Sequence, residues 1–184
     1  AGIREAAWNM QEDLKEIAGL DLTVEEGNAP ASSNDIYIES QTDDTYGVGD
    51  EGYLLKTDDE GVHIYAPTYT GCLYGTITVE QILDQAEDNI TVPKGITRDY
   101  PAYEVRGIML DVARTPYRLS QLQDYAKIML WYKMNEYHLH INDNDNCNTA
   151  FASNKTHAGF HRLESDEFPS LTSEVKHAGI PSNF

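Results

Sequence analysis

The sequence has 184 residues, 40% of them hydrophobic, and its 31 acidic side chains outnumber 13 Lys and Arg to give a formal net charge of −18. This length suffices for one ordinary domain or two small ones with an apolar core. The negative charge repels nucleic acids and anionic membranes, so it argues against both as partners and favours neutral or cationic ones.

The cysteines and the apolar runs of the sequence exclude further classes of protein. Cys72 and Cys147 lie in different halves of the chain and form no Cys-x-x-Cys spacing, which argues against a disulfide framework or a structural zinc site. No apolar run reaches the about 20 residues of a membrane helix. The opening stretch "AGIREAAWNMQEDLKE" lacks the apolar centre of a signal peptide, so we expect none within this sequence.

The first half of the sequence predicts a small α+β layer. Residues 3–18 have apolar side chains at helical spacing, namely Ile3, Ala7, Met10, Leu14 and Ile17, and Gly19 is a plausible helix end. The alternation in "LDLTVEE" and the stretch "DIYIES" each predict a short strand. "GYLLKT" and "GVHIYA" flank "DDEG", a hairpin signal, and "TGCLYGTITVEQILDQ" predicts a second helix. Helices on one face of a sheet are expected.

A change of pattern marks a domain junction. "VPKGITRDYPAYE", residues 92–104, contains two prolines and a glycine and has no periodicity. We therefore predict one domain over residues 1–100 and a second over residues 101–184.

The second half predicts a strand, a helix and a strand. "VRGIMLDVA" is an almost continuous apolar run, typical of a parallel strand buried on both faces. A helical face follows in "LSQLQDYAKIMLWYKMN", with Ser120 as a possible N-cap, and "EYHLHIND" is the next strand. This βαβ order implies a parallel sheet. A closed (β/α)8 barrel needs about 250 residues, so the sequence predicts either a small open sheet or the first part of a barrel.

Polar residues gather where the second of these strands ends. "HLHINDNDNC", residues 138–147, contains two histidines, two aspartates and three asparagines. Active sites of such folds lie beyond the carboxyl ends of parallel strands. Arg114 follows the first strand and Asp143 the second, so an arginine fork and a carboxylate could together bind the hydroxyls of a polyol.

A metal site is the competing interpretation of this cluster. His138 and His140 with a nearby aspartate could bind zinc or iron. No third strong ligand lies close in the sequence, so we favour hydrogen-bonded core histidines and expect neither a metal nor a cofactor.

Several motifs in order resemble glycoside hydrolase family 20, the β-N-acetylhexosaminidases. They are Arg106-Gly107 and Asp111 to Arg114 around the first strand, Lys133-Met134-Asn135 after the helix, and His138 to Asp143 at the second strand. The first half is also similar to the small α+β domain that precedes the family's barrel. The resemblance implies an α/β chain, with that small domain followed by the first β/α units of an incomplete (β/α)8 barrel.

The resemblance also implies roles for individual residues. Arg114 matches the arginine that binds the sugar hydroxyls, and Asp143 matches an acidic residue that supports the site. Arg106 and Asp111 match structural positions that are expected to be buried and paired, and His138 and His140 are expected to support the site. The implied partner is an oligosaccharide or glycoconjugate that contains N-acetylhexosamine.

The implied activity is removal of terminal β-linked N-acetylhexosamine by substrate-assisted, retaining catalysis. The substrate's acetamido oxygen attacks the anomeric carbon, while an Asp-Glu pair after the fourth barrel strand orients that group and protonates the leaving oxygen. Asp166-Glu167 in "SDEF" is predicted to be a solvated loop instead. We therefore expect the catalytic pair downstream and no activity in these 184 residues alone.

Some features depart from the common family pattern. Asp143-Asn144-Asp145 replaces two acids followed by Gln-Gly-Trp. Together with the later stretch "FHRLESDEFPSLTSE", it resembles the branch containing lacto-N-biosidases, which release a disaccharide. Further alternatives are a non-catalytic carbohydrate-binding or scaffold module, and another barrel hydrolase or a metal-dependent lyase. A barrel fragment would have exposed strand edges and a tendency to self-associate. The family implies an extracellular or cell-surface location in a bacterium.

Overall fold

The computed structural model describes residues 2–27, 32–41, 43–88, 90–112, 114–115 and 117–140. The elements in chain order are α1 (Gly2–Ala18), β1 (Ile36–Ser40), β2 (Tyr53–Asp58), β3 (Gly61–Ala66), α2 (Tyr69–Gln85), β4 (Gly95–Asp99), β5 (Gly107–Asp111), α3 (Leu119–Trp131) and β6 (Glu136–His140). The chain divides into two compact units, Ala1–Ala102 and Tyr103–Phe184. Within the part of the chain described, no helix combines the length and apolar character needed to cross a membrane.

The first unit contains a mixed four-stranded sheet in the order β1-β3-β2-β4. β1 runs parallel to β3, whereas β2 pairs antiparallel with both β3 and β4. The predicted hairpin is confirmed, and its turn ends at Gly61, which has a φ of 125°. A Cβ at that position would lie 2.6 Å from the carbonyl oxygen of Asp35, so the turn requires glycine.

Both predicted helices of the first unit are confirmed, and they supply much of its core. α1 buries Ala6, Met10 and Leu14 along one face, as expected of an amphipathic helix. α2 is buried on more than one side, since it contacts α1 as well as the sheet. Its N-cap is Thr68, whose hydroxyl accepts a hydrogen bond from the Gly71 amide at 3.2 Å.

One prediction for the first unit is wrong. The stretch "LDLTVEE" forms no strand, although Leu20, Leu22 and Val24 are half-buried in the alternating pattern that suggested one. Alternation describes which side chains face the core, but a strand also needs a hydrogen-bonded neighbour. The boundary between the two units lies within the predicted junction, after Ala102, and the junction also contains strand β4, which pairs with β2. Residues 95–98 of β4 are exposed, so this edge strand carries no burial pattern that could be recognised in the sequence.

The second unit contains the predicted βαβ arrangement. β5 and β6 pair in parallel, and α3 connects them. The described core is one cluster formed by α3 and β6, namely Leu122, Ala126, Met129, Tyr137 and Leu139, with Ile108 and Leu110 of β5 packed against it. The predicted N-cap Ser120 is wrong: Arg118 is the N-cap, and its backbone amide donates to Gln121 Oε1 at 2.9 Å.

The prediction that β5 is buried on both faces is not met in the described residues. Met109 is 59% exposed, and Val105 just before the strand is 65% exposed. α3 covers only the face formed by Ile108 and Leu110. In residues 103–140 the unit is thus an α/β layer with a two-stranded parallel sheet, without a closed barrel.

Candidate functional site

The carboxyl ends of β5 and β6 lie side by side. The register pairs Asp111 with His140, the last residues of the two strands. The amide of Val112 then donates to the carbonyl oxygen of His140 at 3.1 Å, which extends the pairing one residue further. The carboxyl ends of β5 and β6 are therefore neighbouring points at one edge of the described sheet.

The carboxylate of Asp111 organises the turn after β5. Its Oδ1 accepts a hydrogen bond from the Arg114 amide at 2.9 Å, and its carbonyl oxygen accepts one from the Thr115 amide at 3.3 Å. Its Oδ2 lies 3.5 Å from Nε of Arg114. Asp111 is half-buried, whereas 65% of the Arg114 side chain is exposed, so the carboxylate orients a guanidinium that faces solvent at the strand end.

Arg106 lies at the opposite end of β5 and contacts carbonyl groups. Its Nε donates to the Lys133 carbonyl oxygen and its Nη1 to the Tyr103 carbonyl oxygen, both at 2.8 Å. Arg106 is half-buried, whereas the family resemblance implied that it would be buried. The arginine fork bridges the end of α3 to the segment that precedes β5.

Asn135 completes this arrangement through contacts that the sequence did not predict. The side chain of Asn135 makes two hydrogen bonds: Oδ1 accepts one from the Arg106 amide at 2.9 Å, and Nδ2 donates one to the Glu104 carbonyl oxygen at 2.7 Å. The backbone amide of Asn135 donates a third to the Arg106 carbonyl oxygen at 2.8 Å. Lys133 nearby has a φ of 53°, which turns the chain from α3 towards β6. The Lys-x-Asn motif was therefore a signal for a structural contact.

The two histidines of β6 lie on the face of the sheet away from α3. His138 is exposed and pairs in register with Met109, while His140 is half-buried beside Asp111. Tyr137 and Leu139 occupy the buried face instead. The expectation of buried core histidines is thus wrong for His138, because neighbouring residues of a strand point to opposite faces and α3 covers only one.

Other residues singled out in the sequence lie outside the described part of the chain. These are Asp143, the Asp166-Glu167 dipeptide and Cys147. Among the described residues, the one group of side chains with metal-binding geometry is Asp58, Glu60 and His63 in the first unit. It contains neither of the β6 histidines.

Comparison with known protein families matches both units of the chain. The family model described as "Glycosyl hydrolase family 20, domain 2" matches residues 2–100, and the model of the family's catalytic domain matches residues 103–173. The chain belongs to glycoside hydrolase family 20. The resemblance that the motifs indicated is thereby confirmed.

Several relatives within this family carry hexosaminidase names. A β-hexosaminidase of Porphyromonas gingivalis is 32% identical over 148 residues, which cover 77% of this chain and 19% of that protein. A β-N-acetylhexosaminidase of Cellulomonas fimi is 29% identical over 125 residues, covering 67% of this chain and 24% of that protein. The chain thus spans about a fifth to a quarter of the length of these relatives.

Solved structures show the same fold. A mutant Streptomyces plicatus β-hexosaminidase in complex with the product GlcNAc aligns with a TM-score of 0.77 at 24% identity, over 96% of this chain and 38% of that chain. A family 20 exo-β-N-acetylglucosaminidase of Vibrio harveyi aligns with a TM-score of 0.75 at 20% identity, over 97% of this chain and 30% of that chain.

Proposed function

We propose that this chain is part of a β-N-acetylhexosaminidase that removes terminal β-linked N-acetylhexosamine from oligosaccharides or glycoconjugates. Family membership and the names of its relatives support the proposal. The observation that carries it is the turn after β5, in which Asp111 orients the exposed Arg114 at the carboxyl end of a parallel strand. That end of a β/α fold is where substrates bind.

Arg114 is proposed to bind hydroxyl groups of the terminal sugar. A guanidinium presents several N–H donors in a fixed plane, which suits neighbouring hydroxyls, and an ion pair to Asp111 limits the orientations it can adopt. Asp143, which follows β6 in the sequence, is proposed to support the same site from the neighbouring strand. Arg106 and Asp111 then serve as structural support, together with His138 and His140.

The reaction is proposed to be substrate-assisted and retaining, with no metal or cofactor. The substrate's acetamido oxygen attacks the anomeric carbon, and the leaving oxygen takes a proton from a glutamic acid next to an acetamido-binding aspartate. We propose that this Asp-Glu pair lies beyond residue 184, so that these 184 residues alone are inactive. Their small share of the relatives' length supports this proposal.

The role of Arg114 is tested with Arg114→Lys in the complete enzyme. Lysine keeps the charge but loses the fork, so we expect kcat/KM for a chromogenic N-acetylglucosaminide to fall about 10- to 100-fold. Arg118→Lys is the matched control, because Arg118 is an exposed arginine at the start of α3 and should leave kcat/KM unchanged. Equal effects of the two substitutions would contradict the assignment.

The location of the catalytic pair is tested with the 184-residue chain itself. We expect no turnover of the chromogenic substrate above the rate without protein. Turnover that is abolished by Asp166→Ala or Glu167→Ala would show that the pair lies within this chain.

Release of a disaccharide is the second candidate, and the Asp143-Asn144-Asp145 stretch favours it. Chromogenic N-acetylglucosaminide and lacto-N-bioside substrates, compared on the complete enzyme, distinguish the two activities. Faster hydrolysis of the lacto-N-bioside would favour the second candidate. Sugar binding without hydrolysis of either substrate would favour a carbohydrate-binding module.

The same family membership supports an extracellular or cell-surface location in a bacterium as a proposal. Fractionation of the source cells, with immunodetection of the protein, tests it. Detection in the cytoplasm alone would contradict it.

A further inference from the structure

Three potential metal ligands meet at the β2–β3 hairpin of the first unit. Asp58 ends β2, Glu60 lies in the turn, and His63 lies in β3. One ligand atom from each lies within 4.8 Å of the others. None of these residues belongs to the proposed sugar site.

His63 has a buried nitrogen directed into this group. The residue is 4% exposed, and its Nε2 has no hydrogen-bond partner although it is shielded from solvent. That atom lies 3.8 Å from Oδ1 of Asp58, beyond hydrogen-bond distance. A buried polar atom without a partner costs free energy, so its position needs a physical reason.

Two tyrosines hold the imidazole ring in this orientation. The ring of Tyr37 meets it edge-on at 6.2 Å between centroids, and the ring of Tyr65 stacks on it at 6.0 Å. The Tyr65 hydroxyl lies 3.3 Å from Nδ1. With the proton on Nδ1, the ring donates to this hydroxyl and Nε2 presents its lone pair towards the two carboxylates. Such a contact to the second ring nitrogen is how metal-binding histidines are usually oriented.

We propose that the β2–β3 hairpin binds a divalent transition-metal ion of the zinc class through His63 Nε2 and the carboxylates of Asp58 and Glu60. One nitrogen and two carboxylate oxygens, with water in the fourth position, match zinc coordination. Calcium is disfavoured because it prefers six to eight oxygen ligands. Tetrahedral zinc places ligand atoms about 3.3 Å apart, so the group needs to contract slightly, and the exposed Glu60 can provide that movement.

Lys56 is the cationic neighbour that opposes this binding. Its Nζ lies 2.5 Å from Oδ2 of Asp58. The other oxygen, Oδ1, is the one nearer His63, and the Glu60 amide donates to it at 2.8 Å. Lys56 therefore leaves Asp58 Oδ1 facing the metal site, but the positive charge of Lys56 weakens the affinity of the site for a cation. Removal of the charge by Lys56→Gln should tighten metal binding.

The site goes beyond the proposed glycosidase function, because its role would be to hold the hairpin of the first unit together. A ligand that binds only the folded state stabilises it by mass action. We expect Zn²⁺ at about 100 times its Kd to raise the Tm of the first unit by about 10–20 °C.

The test is calorimetric titration of the full 184-residue chain with Zn²⁺, followed by thermal unfolding with and without the ion. We expect one ion bound by the first unit, affinity lowered at least about tenfold by Asp58→Asn, Glu60→Gln or His63→Gln, and affinity raised by Lys56→Gln. Asp58 and Glu60 are not core residues, so their variants keep the test valid should His63→Gln fail to fold.

Asp59→Asn is the matched control in the same turn, because Asp59 is exposed and bound to Lys94 outside the group. His138→Gln/His140→Gln is a second control, which removes the β6 histidines as alternative ligands. No Zn²⁺ binding would overturn the proposal. Binding that survives all three ligand substitutions, or that is lost only in the β6 double variant, would also overturn it.

Discussion

Gly107 and Gly95 both lie in strands, but their surroundings differ. A Cβ added at Gly107 would lie 2.8 Å from the carbonyl oxygen of Glu136 in the paired strand, whereas one added at Gly95 would meet nothing within 4 Å. Contact at 2.8 Å forces the backbones apart. The glycine of the Arg-Gly motif therefore permits the close pairing of β5 with β6.

We predict that Gly107→Ala destabilises the second unit by about 1–3 kcal/mol. Gly95→Ala is the matched control and should leave the first unit unchanged or stabilise it by up to about 1 kcal/mol. Hydrogen exchange followed by mass spectrometry measures the stability change of each unit in both variants, because it separates peptides of the two units. Unchanged exchange in β5 and β6 of Gly107→Ala would contradict the prediction.

Glu80 is a buried carboxyl on α2. It is 1% exposed, and burial raises its pKa to about 8, with the charge of Asp13 adding to the rise. The pKa in the unfolded chain is the ordinary 4.5. Folding therefore favours the protonated form of Glu80.

The sign of the pH dependence follows from this raised pKa. Below about pH 4.5 both states hold the proton, so Glu80 causes no loss of stability. As the pH rises to about 8, the unfolded state releases the proton and the folded state retains it, so the free energy of unfolding falls by roughly 3–5 kcal/mol from this group alone.

We predict that Glu80→Gln removes this fall and stabilises the first unit by about 2–4 kcal/mol near pH 8, with little effect near pH 4. Urea denaturation at both pH values measures it. Glu87→Gln, at an exposed position just after α2, is the control and should change neither value by more than about 0.5 kcal/mol. If Glu80→Gln and the unsubstituted chain had the same urea denaturation curves at both pH values, burial of the Glu80 carboxyl would be contradicted.

At the scale of elements, the end of α3 is joined to the start of β5 by side-chain contacts to the backbone. Asn135 bonds to the Arg106 amide and the Glu104 carbonyl, while the Arg106 guanidinium bonds to the Lys133 carbonyl. These bonds satisfy backbone groups at a helix end and at a strand start. The Arg-Gly and Lys-x-Asn motifs, 26 residues apart from Gly107 to Lys133, thus meet in one structural contact.

We predict that Asn135→Ala destabilises the second unit by about 1–3 kcal/mol, because the Arg106 amide and the Glu104 carbonyl lose their partners. Lys127→Ala, at an exposed position of α3, is the control and should have an effect within about 0.5 kcal/mol. Urea denaturation combined with hydrogen exchange of β5 and β6 measures the loss. A control effect equal to that of Asn135→Ala would contradict the assignment.

Elements with a strong local pattern were predictable, and those defined by pairing were not. The periodicity of α1 and the "DDEG" turn of the hairpin depend on residues close in sequence. β4 depends instead on β2, and Tyr53 shows this dependence: its hydroxyl donates to Asp99 Oδ2 at 2.7 Å from 46 residues away. Of the candidate site, the position of Arg114 after β5 was predictable, but its contact with Asp111 was not.

At the scale of the whole molecule, apolar side chains stay exposed in the second unit. Met109, Ile128 and Tyr132 are 59%, 51% and 67% exposed. Exposed apolar side chains beside open strand edges favour pairing with another chain. The net charge of −18 opposes such pairing, and salt screens that repulsion.

We predict that the 184-residue chain self-associates through the β5–β6 sheet as ionic strength rises. Sedimentation velocity should show a mass that increases with protein and salt concentration, and Met109→Lys should reduce the increase. Ile96→Lys is the matched control, because Ile96 is 70% exposed but lies in the first unit. If Ile96→Lys reduced the mass increase and Met109→Lys did not, the contact between copies would lie in the first unit and not in the β5–β6 sheet.

The sequence by itself determined the acidic charge, the helix and hairpin periodicities, the βαβ order and the family, because each depends on composition or on residues close along the chain. The tertiary structure alone decided that β4 joins the sheet edge, that His138 is exposed, and that Glu80 and the Nε2 of His63 are buried. Burial and strand pairing depend on which distant segments pack together, and no local pattern specifies that choice.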